Sequence, residues 1–395
     1  MSIVIVGAGL AGGTAATELR EQGYDGEVVL VGAETHPPYE RPPLSKGYLL
    51  GNDPIDDAFV HPREWYAEHD VDLRLGVEAT ALDTGTRTLT TSAGDITYDG
   101  LLLATGAEPR RLAVAEESGV PTAYLRTIED SDRLKQAFGS AGRVTIIGAG
   151  WIGLEVAAAA REAGCEVTVF EMAELPLLRV LGPTIAQVFA DLHREHGVDL
   201  RLATSVTPDD LRSADLVVAG VGVSPRVDLA RSAGLAVDDG VLVDEHLQTS
   251  MPGVFAAGDV ALARHPLYGQ PVRVEHWDNA LRQGPVAARS MLGLPAVYDR
   301  VPYFFSDQYD VGMEYAGFAR EWDRVVFRGD PAGREFIAFW LAGDRIVAGM
   351  NVNVWDVSDA IQRLIRERVA VDDRRLADLD VPLHDVALVE RGSPA

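Results

Sequence analysis

The strongest constraint on this chain is a duplicated glycine fingerprint of the form GxGxxG. The first copy, Gly7-Ala8-Gly9-Leu10-Ala11-Gly12, follows an apolar strand at residues 3–6, and the second copy, Gly148-Ala149-Gly150-Trp151-Ile152-Gly153, follows one at residues 144–147. In a strand–turn–helix unit, the first glycine permits a tight turn, the second lets the backbone approach a pyrophosphate, and the third lets helix and strand pack closely. The helix N-terminus then offers N–H groups and a positive dipole end to the phosphates. Two such units predict two dinucleotides, most economically a bound flavin and a visiting nicotinamide.

Each fingerprint is followed by a second apolar strand and an acidic residue. Glu34 follows the predicted strand at residues 27–32, and Glu171 ends the predicted strand at residues 166–171. An acid in this position commonly binds an adenosine ribose. A carboxylate accepts hydrogen bonds from the ribose 2′-OH but repels a 2′-phosphate, and Met172-Ala173-Glu174 supplies no compensating arginine. Glu171 therefore predicts NADH rather than NADPH as the coenzyme.

Composition excludes several classes of protein. The hydrophobic fraction of 47% and the charged fraction of 24% are those of an ordinary globular protein. No apolar run approaches the roughly 20 residues of a membrane span, and a formal net charge of −25 disfavours nucleic acids and anionic membranes as partners. Because the first strand begins almost at Met1, we expect no signal peptide and a cytoplasmic location. No metal site is expected.

The single cysteine, Cys165, narrows the redox chemistry. A dithiol centre needs two cysteines, and an oxidase or peroxidase with one redox cysteine would need it in the loop near residues 40–46. We therefore expect Cys165 to be a packed, unreactive thiol. Because the sequence has no dithiol, no iron–sulfur cysteine cluster and no haem motif, the flavin is expected to pass electrons to an external acceptor, most simply a one-electron iron–sulfur protein.

The sequence also predicts how the remaining segments are arranged. The segment 249–259 should form a strand that rejoins the first unit and ends on Gly258-Asp259. Asp278 and Asn279 are predicted to cap a helix. From about residue 300 the aromatic-rich segments predict an antiparallel meander, followed by a helix with Ser358 as its N-cap and an inward face. The inward positions are Ile361, Leu364 and Ile365.

With these motifs placed, the chain resembles the ferredoxin reductases of bacterial oxygenase systems, relatives of the rubredoxin and putidaredoxin reductases. The resemblance covers essentially the whole chain and rests on both fingerprints and on further segments in a fixed order. These segments are Tyr39-Glu40-Arg41-Pro42-Pro43-Leu44-Ser45-Lys46, Ala104-Thr105-Gly106, Gly148 to Glu155, Gly258-Asp259, Val274-Glu275-His276-Trp277-Asp278-Asn279 and Ser306-Asp307-Gln308-Tyr309.

The resemblance implies a glutathione-reductase-like α/β fold, with two Rossmann-like dinucleotide-binding domains and a C-terminal α+β domain. The FAD-binding domain is expected to combine residues 1–107 and 227–299. The NADH-binding domain is expected at residues 108–226 and the C-terminal domain at residues 300–395.

The motifs and the resemblance together assign residues to the two cofactors. The residues expected to bind FAD are Gly7, Gly9, Leu10, Ala11, Gly12, Glu34, Arg41, Lys46, Ala104, Thr105, Gly106, Gly258, Asp259, His276 and Trp277. The residues expected to bind NADH are Gly148, Gly150, Ile152, Gly153, Glu155, Glu171, Gly220, Val221 and Gly222.

The resemblance further implies roles for individual side chains. Arg41 and Lys46 are expected along the flavin, Asp259 on the ribityl chain, and Glu155 paired with Lys46 where the nicotinamide docks. On its own position, Glu155 has the alternative explanation of a favourable carboxylate in the first turn of a helix. Lys46 draws notice because the chain otherwise prefers arginine, with Lys135 as the other lysine.

The function implied is that of a ferredoxin–NAD(+) reductase. Electrons pass from NADH through FAD to a ferredoxin, expected to carry a [2Fe–2S] centre, which feeds an oxygenase or a cytochrome P450. Two alternatives remain open: a rubredoxin reductase, and an NADH-responsive flavoprotein of the apoptosis-inducing-factor type.

Overall fold

A computed structural model describes residues 1–387 of the chain, which divides into two compact units. The first unit consists of Met1–Arg110 and Gly222–Arg300, and the second consists of Arg111–Val221 and the chain from Val301 onward. Residues 388–395, the end of the predicted C-terminal domain, lie outside the described residues. The boundaries expected for three functional domains remain a prediction.

The described residues form 24 strands and 13 α-helices. The strands are β1 Ser2–Val6, β2 Glu27–Gly32, β3 Val71–Leu75, β4 Ala79–Asp83, β5 Thr88–Thr91, β6 Gly94–Thr97, β7 Gly100–Leu103, β8 Ala107–Pro109, β9 Thr122–Ala123, β10 Arg143–Ile147, β11 Glu166–Phe170, β12 Asp199–Arg201, β13 Leu216–Ala219, β14 Val223–Pro225, β15 Val237–Asp238, β16 Gly240–Val243, β17 Val254–Ala256, β18 Ala261–His265, β19 Gln270–Val272, β20 Tyr303–Gln308, β21 Val311–Gly317, β22 Arg324–Asp330, β23 Glu335–Ala342 and β24 Arg345–Val352. The helices are α1 Leu10–Glu21, α2 Gly47–Leu50, α3 Arg63–Glu68, α4 Ala113–Glu117, α5 Ile128–Phe138, α6 Trp151–Glu162, α7 Leu178–Leu181, α8 Pro183–Glu195, α9 Pro208–Leu211, α10 Asp228–Ser232, α11 Trp277–Met291, α12 Ser358–Glu367 and α13 Asp373–Ala377.

The first unit is built on a five-stranded parallel sheet in the order β17-β7-β1-β2-β3. The four residues of β7 and the last four of β1 are all buried, as expected of strands covered on both faces. Because β17 pairs with β7, the prediction that the segment ending in Gly258-Asp259 rejoins this unit is confirmed.

The strands between residues 71 and 97 belong to two different sheets. β3 joins the edge of the parallel sheet beside β2, whereas β4, β5 and β6 form a separate antiparallel sheet. The reason is the short helix α3 directly before β3. A helical crossover returns the chain in the same direction and so produces a parallel strand rather than a hairpin.

Close packing of α11 on α1 fixes one end of the first unit. A Cβ atom on Gly284 of α11 would collide with the side chain of Thr14 and the carbonyl oxygen of Ala11 in α1. The two helices are also joined by an ion pair of 2.9 Å between Arg289 and Glu18. Glycine at position 284 therefore allows α11 to lie directly against the helix that follows the first fingerprint.

The second unit repeats the parallel arrangement. Its sheet has the order β12-β11-β10-β13-β9, and every pairing is parallel. The fingerprint strand β10 lies at the centre of this sheet, as β1 lies at the centre of the first sheet. The prediction of two Rossmann-like domains is thus confirmed.

The second unit also contains an antiparallel sheet in the order β20-β21-β24-β23-β22. The predicted meander is wrong in its order, because β24 lies between β21 and β23. The three central strands carry most of the buried residues, and the more exposed β22 lies at an edge. Such an arrangement depends on burial across the sheet, which adjacent segments of sequence do not encode.

For α12, the helix after this sheet, the predicted inward face is confirmed and the predicted N-cap is wrong. Ile361, Leu364 and Ile365 are buried as predicted. The N-cap residue is Val357, and Ser358 is the first helical residue, where its hydroxyl accepts a hydrogen bond of 3.3 Å from the Gln362 side chain.

Candidate functional site

The three glycines of the first fingerprint have different surroundings. A Cβ atom on Gly7 would overlap the carbonyl oxygen of Ala104, and one on Gly12 would overlap the carbonyl oxygen of Gly7. Around Gly9, by contrast, no heavy atom of the described chain lies within 4 Å of that position. The protein's own packing requires Gly7 and Gly12 but not Gly9. The open space at Gly9 suits a ligand that approaches the backbone closely.

The second fingerprint repeats this division. A Cβ atom on Gly148 would lie 2.5 Å from the carbonyl oxygen of Gly220, and one on Gly153 would overlap the carbonyl oxygen of Gly148. Within residues 1–387, nothing comes within 4 Å of the corresponding position on Gly150. Both fingerprints therefore leave open the one glycine that a pyrophosphate would approach.

Both fingerprint helices begin in a way that suits phosphate groups. The N-cap of α1 is Gly9 and that of α6 is Gly150, and for neither helix does the described part of the chain supply a side-chain cap or an acid in the first turn. The first N–H groups of each helix thus receive no side-chain cap from the N-cap residue and meet no repelling acid in that turn. Leu10 and Ala11 are buried, whereas 46% of Ile152 is exposed.

Two predicted loops lie beside the fingerprints. Thr105 donates a hydrogen bond of 2.8 Å from its hydroxyl to the carbonyl of Arg226, whose N–H donates to the Gly106 carbonyl at 2.9 Å. Since Ala104 contacts Gly7, residues 104–106 are held against the first turn.

The segment Gly220 to Gly222 is the corresponding loop after the second fingerprint, and its contact with NADH remains a prediction. Gly220 and Val221 lie against Gly148. Gly222 belongs to the first unit, where its carbonyl accepts a hydrogen bond of 3.0 Å from the N–H of Arg110.

Glu34 is part of a cluster that the sequence did not reveal. Its Oε1 accepts a hydrogen bond of 2.9 Å from Arg41 Nη2, and its Oε2 accepts one of 2.5 Å from the Tyr39 hydroxyl. Burial lowers the pKa of Arg41, but Tyr39, Glu34 and Asp259 outweigh it and leave that pKa raised. Arg41 thus remains a cation near Asp259. Ribose binding by Glu34 stays a prediction, and its carboxylate also orients Arg41.

His276 and Trp277 stand at the start of α11, and His276 is the N-cap residue. Burial lowers the pKa of His276 to about 4, although the nearby Asp259 opposes the shift. His276 is therefore a neutral imidazole near pH 7, able to donate from one ring nitrogen and accept at the other.

The predicted capping of α11 by Asp278 and Asn279 is wrong. These residues are the second and third of the helix, beyond the N-cap position. Asp278 accepts a hydrogen bond of 3.2 Å from Arg282. Asn279 donates to the Val274 carbonyl at 3.2 Å and accepts from the Tyr298 hydroxyl at 2.8 Å. Asp278 thus pairs within the helix, whereas Asn279 connects the helix to Val274 and Tyr298 outside it.

Lys46 lies at a fixed point of the proline-rich loop. It separates a 3-10 turn at Pro42–Ser45 from α2. Its N–H donates to the Pro43 carbonyl at 3.1 Å, and its carbonyl accepts from the N–H of Leu50 at 3.0 Å. The partly buried side chain thus starts from a rigid backbone.

Glu155 is the fifth residue of α6 and is only 3% exposed. Its Oε1 accepts a hydrogen bond of 2.6 Å from the Ser306 hydroxyl on β20. The alternative explanation as a first-turn carboxylate is wrong, because α6 has no acid in its first turn. Ser306 is a partner that the sequence did not predict. The pairing of Glu155 with Lys46, which belongs to the other unit, remains a prediction.

Glu171 is held against the second fingerprint by backbone groups. Its Oε2 accepts from the Ala149 N–H and its Oε1 from the Ala173 N–H, both at 2.8 Å. The carboxylate is therefore fixed beside the turn that is expected to bind the coenzyme, with further lone pairs for ribose hydroxyls.

Cys165 has the environment of a structural thiol. It is 1% exposed, and its Sγ donates to the carbonyls of Ala141 at 3.3 Å and Phe138 at 3.7 Å. Burial raises its pKa despite the opposing charge of Arg161. A raised pKa disfavours the reactive thiolate.

Among the helices of residues 1–387, none is long and apolar enough to cross a membrane. The same residues contain no group of three or more His, Cys, Asp or Glu side chains arranged to hold a metal ion.

The chain is similar to known reductases over its full length. The family model described as pyridine nucleotide-disulphide oxidoreductase matches residues 1–284, and the reductase C-terminal model matches residues 303–387. Putidaredoxin reductase CamA of Pseudomonas putida is 37% identical, with 98% of this chain and 96% of that protein covered. The anthranilate 1,2-dioxygenase system ferredoxin–NAD(+) reductase component of Burkholderia cepacia is 39% identical, with 96% and 98% covered. The crystal structure of the covalent putidaredoxin reductase–putidaredoxin complex matches with a TM-score of 0.93 at 37% identity, covering 98% and 97% of the two chains.

We predict that alanine at the open second glycine of each fingerprint, Gly9 or Gly150, weakens the binding of a different cofactor. Gly9 and Gly150 have φ angles of −93° and −79°, which alanine adopts freely, so the fold should tolerate both alanine variants. We expect Gly9→Ala to lower the FAD content of the purified protein. Gly150→Ala should keep FAD but weaken NADH binding about tenfold, equivalent to about 1.4 kcal/mol.

The measurements are the ratio of flavin to protein absorbance, the dissociation constant for NADH and the melting temperature. Gly139→Ala, at the end of α5, is the matched control with normal cofactor binding. Parental FAD content in Gly9→Ala together with parental NADH affinity in Gly150→Ala would contradict the assignment.

Proposed function

Since the chain belongs to the pyridine nucleotide-disulphide oxidoreductase family, as a flavoprotein ferredoxin–NAD(+) reductase that uses FAD and NADH, we propose that its first fingerprint binds FAD and its second binds NADH. The observation that carries this proposal is the equivalence of the two fingerprint units, each with an open second glycine. In the first unit, the neutral His276 and the Arg41 cation near Asp259 add polar groups suited to a flavin nucleotide.

The chain's own residues bind, orient and stabilise the reactants. Bound FAD supplies the redox chemistry, because it accepts a hydride from NADH and can release electrons singly to a ferredoxin. The described thiol chemistry of the chain offers no second redox centre, since Cys165 is buried with a raised pKa. Orientation and electrostatic stabilisation are therefore the tasks left to the side chains.

Lys46 and Glu155 are proposed to act together in hydride transfer. A lysine ammonium is a compact charge that can stabilise negative charge developing beside it. A buried carboxylate at Glu155 needs a compensating partner, and a lysine held near it would keep either charge from standing alone. Lys46 emerges from a fixed backbone, as precise positioning requires.

Coenzyme choice is proposed to depend on Glu171. Its carboxylate is held beside the second fingerprint by the N–H groups of Ala149 and Ala173. In that position it can accept hydrogen bonds from the ribose 2′-OH of NADH and repels the 2′-phosphate of NADPH.

The partner is proposed to be a ferredoxin with a [2Fe–2S] centre that serves an oxygenase or a cytochrome P450. The relatives support this choice, since they include a dioxygenase-system component and a reductase in complex with putidaredoxin. The protein is proposed to work in the cytoplasm, where a lone cysteine stays reduced.

The function is tested by coenzyme-driven reduction of cytochrome c with a panel of purified ferredoxins and rubredoxins. We expect turnover with at least one [2Fe–2S] ferredoxin, and a kcat/KM for NADH about tenfold or more above that for NADPH, a difference of ~1.4 kcal/mol. Turnover only with rubredoxins would identify a rubredoxin reductase. Failure with every carrier, together with a long-lived charge-transfer band after NADH binding, would favour the apoptosis-inducing-factor type.

Lys46 and Glu155 are tested by stopped-flow reduction of the flavin with NADH. Lys46→Ala should keep FAD but slow the reduction about tenfold, equivalent to ~1.4 kcal/mol of barrier. Glu155→Gln should slow the same step, and the double variant should be less than additively impaired. Lys135→Ala removes the other lysine and serves as the control. If both single variants reduce at the parental rate, the pair takes no part in hydride transfer.

A further inference from the structure

A chain of buried polar side chains runs through the second unit and ends on Glu155. Ser306 and Gln308 on β20 and His193 on α8 are each at most 1% exposed, and Tyr309 follows at the end of β20. Buried polar groups are costly unless each has a hydrogen-bond partner. The motifs and the reaction described above assign no role to these four side chains.

The contacts follow one another without a break. Ser306 Oγ lies 2.6 Å from Glu155 Oε1, and Gln308 Nε2 lies 3.1 Å from Ser306 Oγ. Gln308 Oε1 lies 2.9 Å from His193 Nε2, and the Tyr309 hydroxyl lies 3.4 Å from His193 Nδ1. Glu155 is thereby connected to His193 on α8 and to Tyr309 through four hydrogen bonds.

The donors in this chain all point toward Glu155. The amide nitrogen of Gln308 can only donate, so it donates to Ser306 Oγ, and the single proton of Ser306 is left for the Glu155 carboxylate. The amide oxygen of Gln308 can only accept, so the proton of His193 must lie on Nε2. Burial lowers the pKa of His193 to about 4, which leaves Nδ1 free of a proton near pH 7 to accept from Tyr309.

Tyr309 occupies an unusual position for a tyrosine. Its φ angle is +56°, in the left-handed region that bulky residues rarely adopt, and it stands in the turn between β20 and β21. Its ring stacks on His196 with centroids 3.7 Å apart. Glycine or asparagine would suit the turn better, so the tyrosine is explained by its contacts with the two histidines.

We propose that Ser306, Gln308 and His193 are positioning residues for Glu155, which hold its side chain in one orientation and keep it as an acceptor of hydrogen bonds. A line of aligned donors that ends on a carboxylate fixes the orientation of that carboxylate, and each bond polarises the next. The inference rests on the proposed role of Glu155 in hydride transfer. It adds that the C-terminal sheet, through β20, takes part in setting up the coenzyme-binding unit.

The kinetic test compares variants of Ser306 by anaerobic stopped-flow reduction with NADH. Ser306→Ala removes a hydroxyl that donates to Glu155, and we expect the limiting rate constant to fall about threefold to tenfold. The dissociation constant for NADH should change by less than about twofold, because the variant leaves both fingerprints intact. Ser306→Thr, which keeps the hydroxyl, should recover most of the rate. Ser131→Ala removes another buried serine hydroxyl of the same unit and should reduce at the parental rate.

A double-mutant cycle separates positioning from general structural damage. If Ser306 acts through Glu155, Ser306→Ala should have little further effect in the Glu155→Gln background. Equal slowing in both backgrounds would overturn the inference. A parental rate in Ser306→Ala while Glu155→Gln is slow would also overturn it, and a parental rate in Glu155→Gln would instead contradict the proposed function.

A second readout is independent of activity. Nitrogen-15 labelling of the nine histidines reports which ring nitrogen carries the proton, and His193→Gln identifies the signals of His193. We expect His193 to be neutral with its proton on Nε2. A proton on Nδ1 would reverse the direction of the hydrogen bonds and contradict the inference, whatever the kinetics show.

Discussion

The structure depends on a close contact between a helix and the strand before it, which occurs once at each fingerprint. Gly12 and Gly153 leave no room for a Cβ atom between the helix and the carbonyl oxygen of the first fingerprint glycine. This contact holds each helix against its strand, and the position that a Cβ atom would take on Gly9 or Gly150 stays open. The expected place of each dinucleotide follows from that geometry.

The duplication explains why one chain can receive two dinucleotides, and the remaining side chains make the two units different. In the first unit, the Glu34 carboxylate orients Arg41. In the second unit, the Glu171 carboxylate is fixed by backbone N–H groups and remains available to a ribose. The two acids are thus held by different partners, by Arg41 and Tyr39 in the first unit and by backbone N–H groups in the second.

Features encoded in short segments could be predicted from the sequence, and features that depend on distant contacts could not. The fingerprints and the return of β17 to the first sheet follow from local patterns of glycine and apolar residues, and the structure confirms them. The insertion of β24 between β21 and β23 depends on burial across a sheet. The predicted caps at Asp278 and Ser358 are wrong because a shift of one or two residues at a helix start changes the role of a polar side chain.

The hydrogen bond from Ser306 to Glu155 joins positions far apart in sequence, and neither residue has a local pattern that reveals it.

We expect one flavin to be the sole redox centre between NADH and the external acceptor. Anaerobic titration of the purified holoprotein with NADH tests it most directly, with flavin absorbance and free thiol followed together. We expect one FAD per chain, complete bleaching at one NADH per flavin, and no change in the reactivity of Cys165. A requirement for a second NADH, or the loss or gain of a thiol during bleaching, would reveal another redox group and show that the flavin is not the sole redox centre.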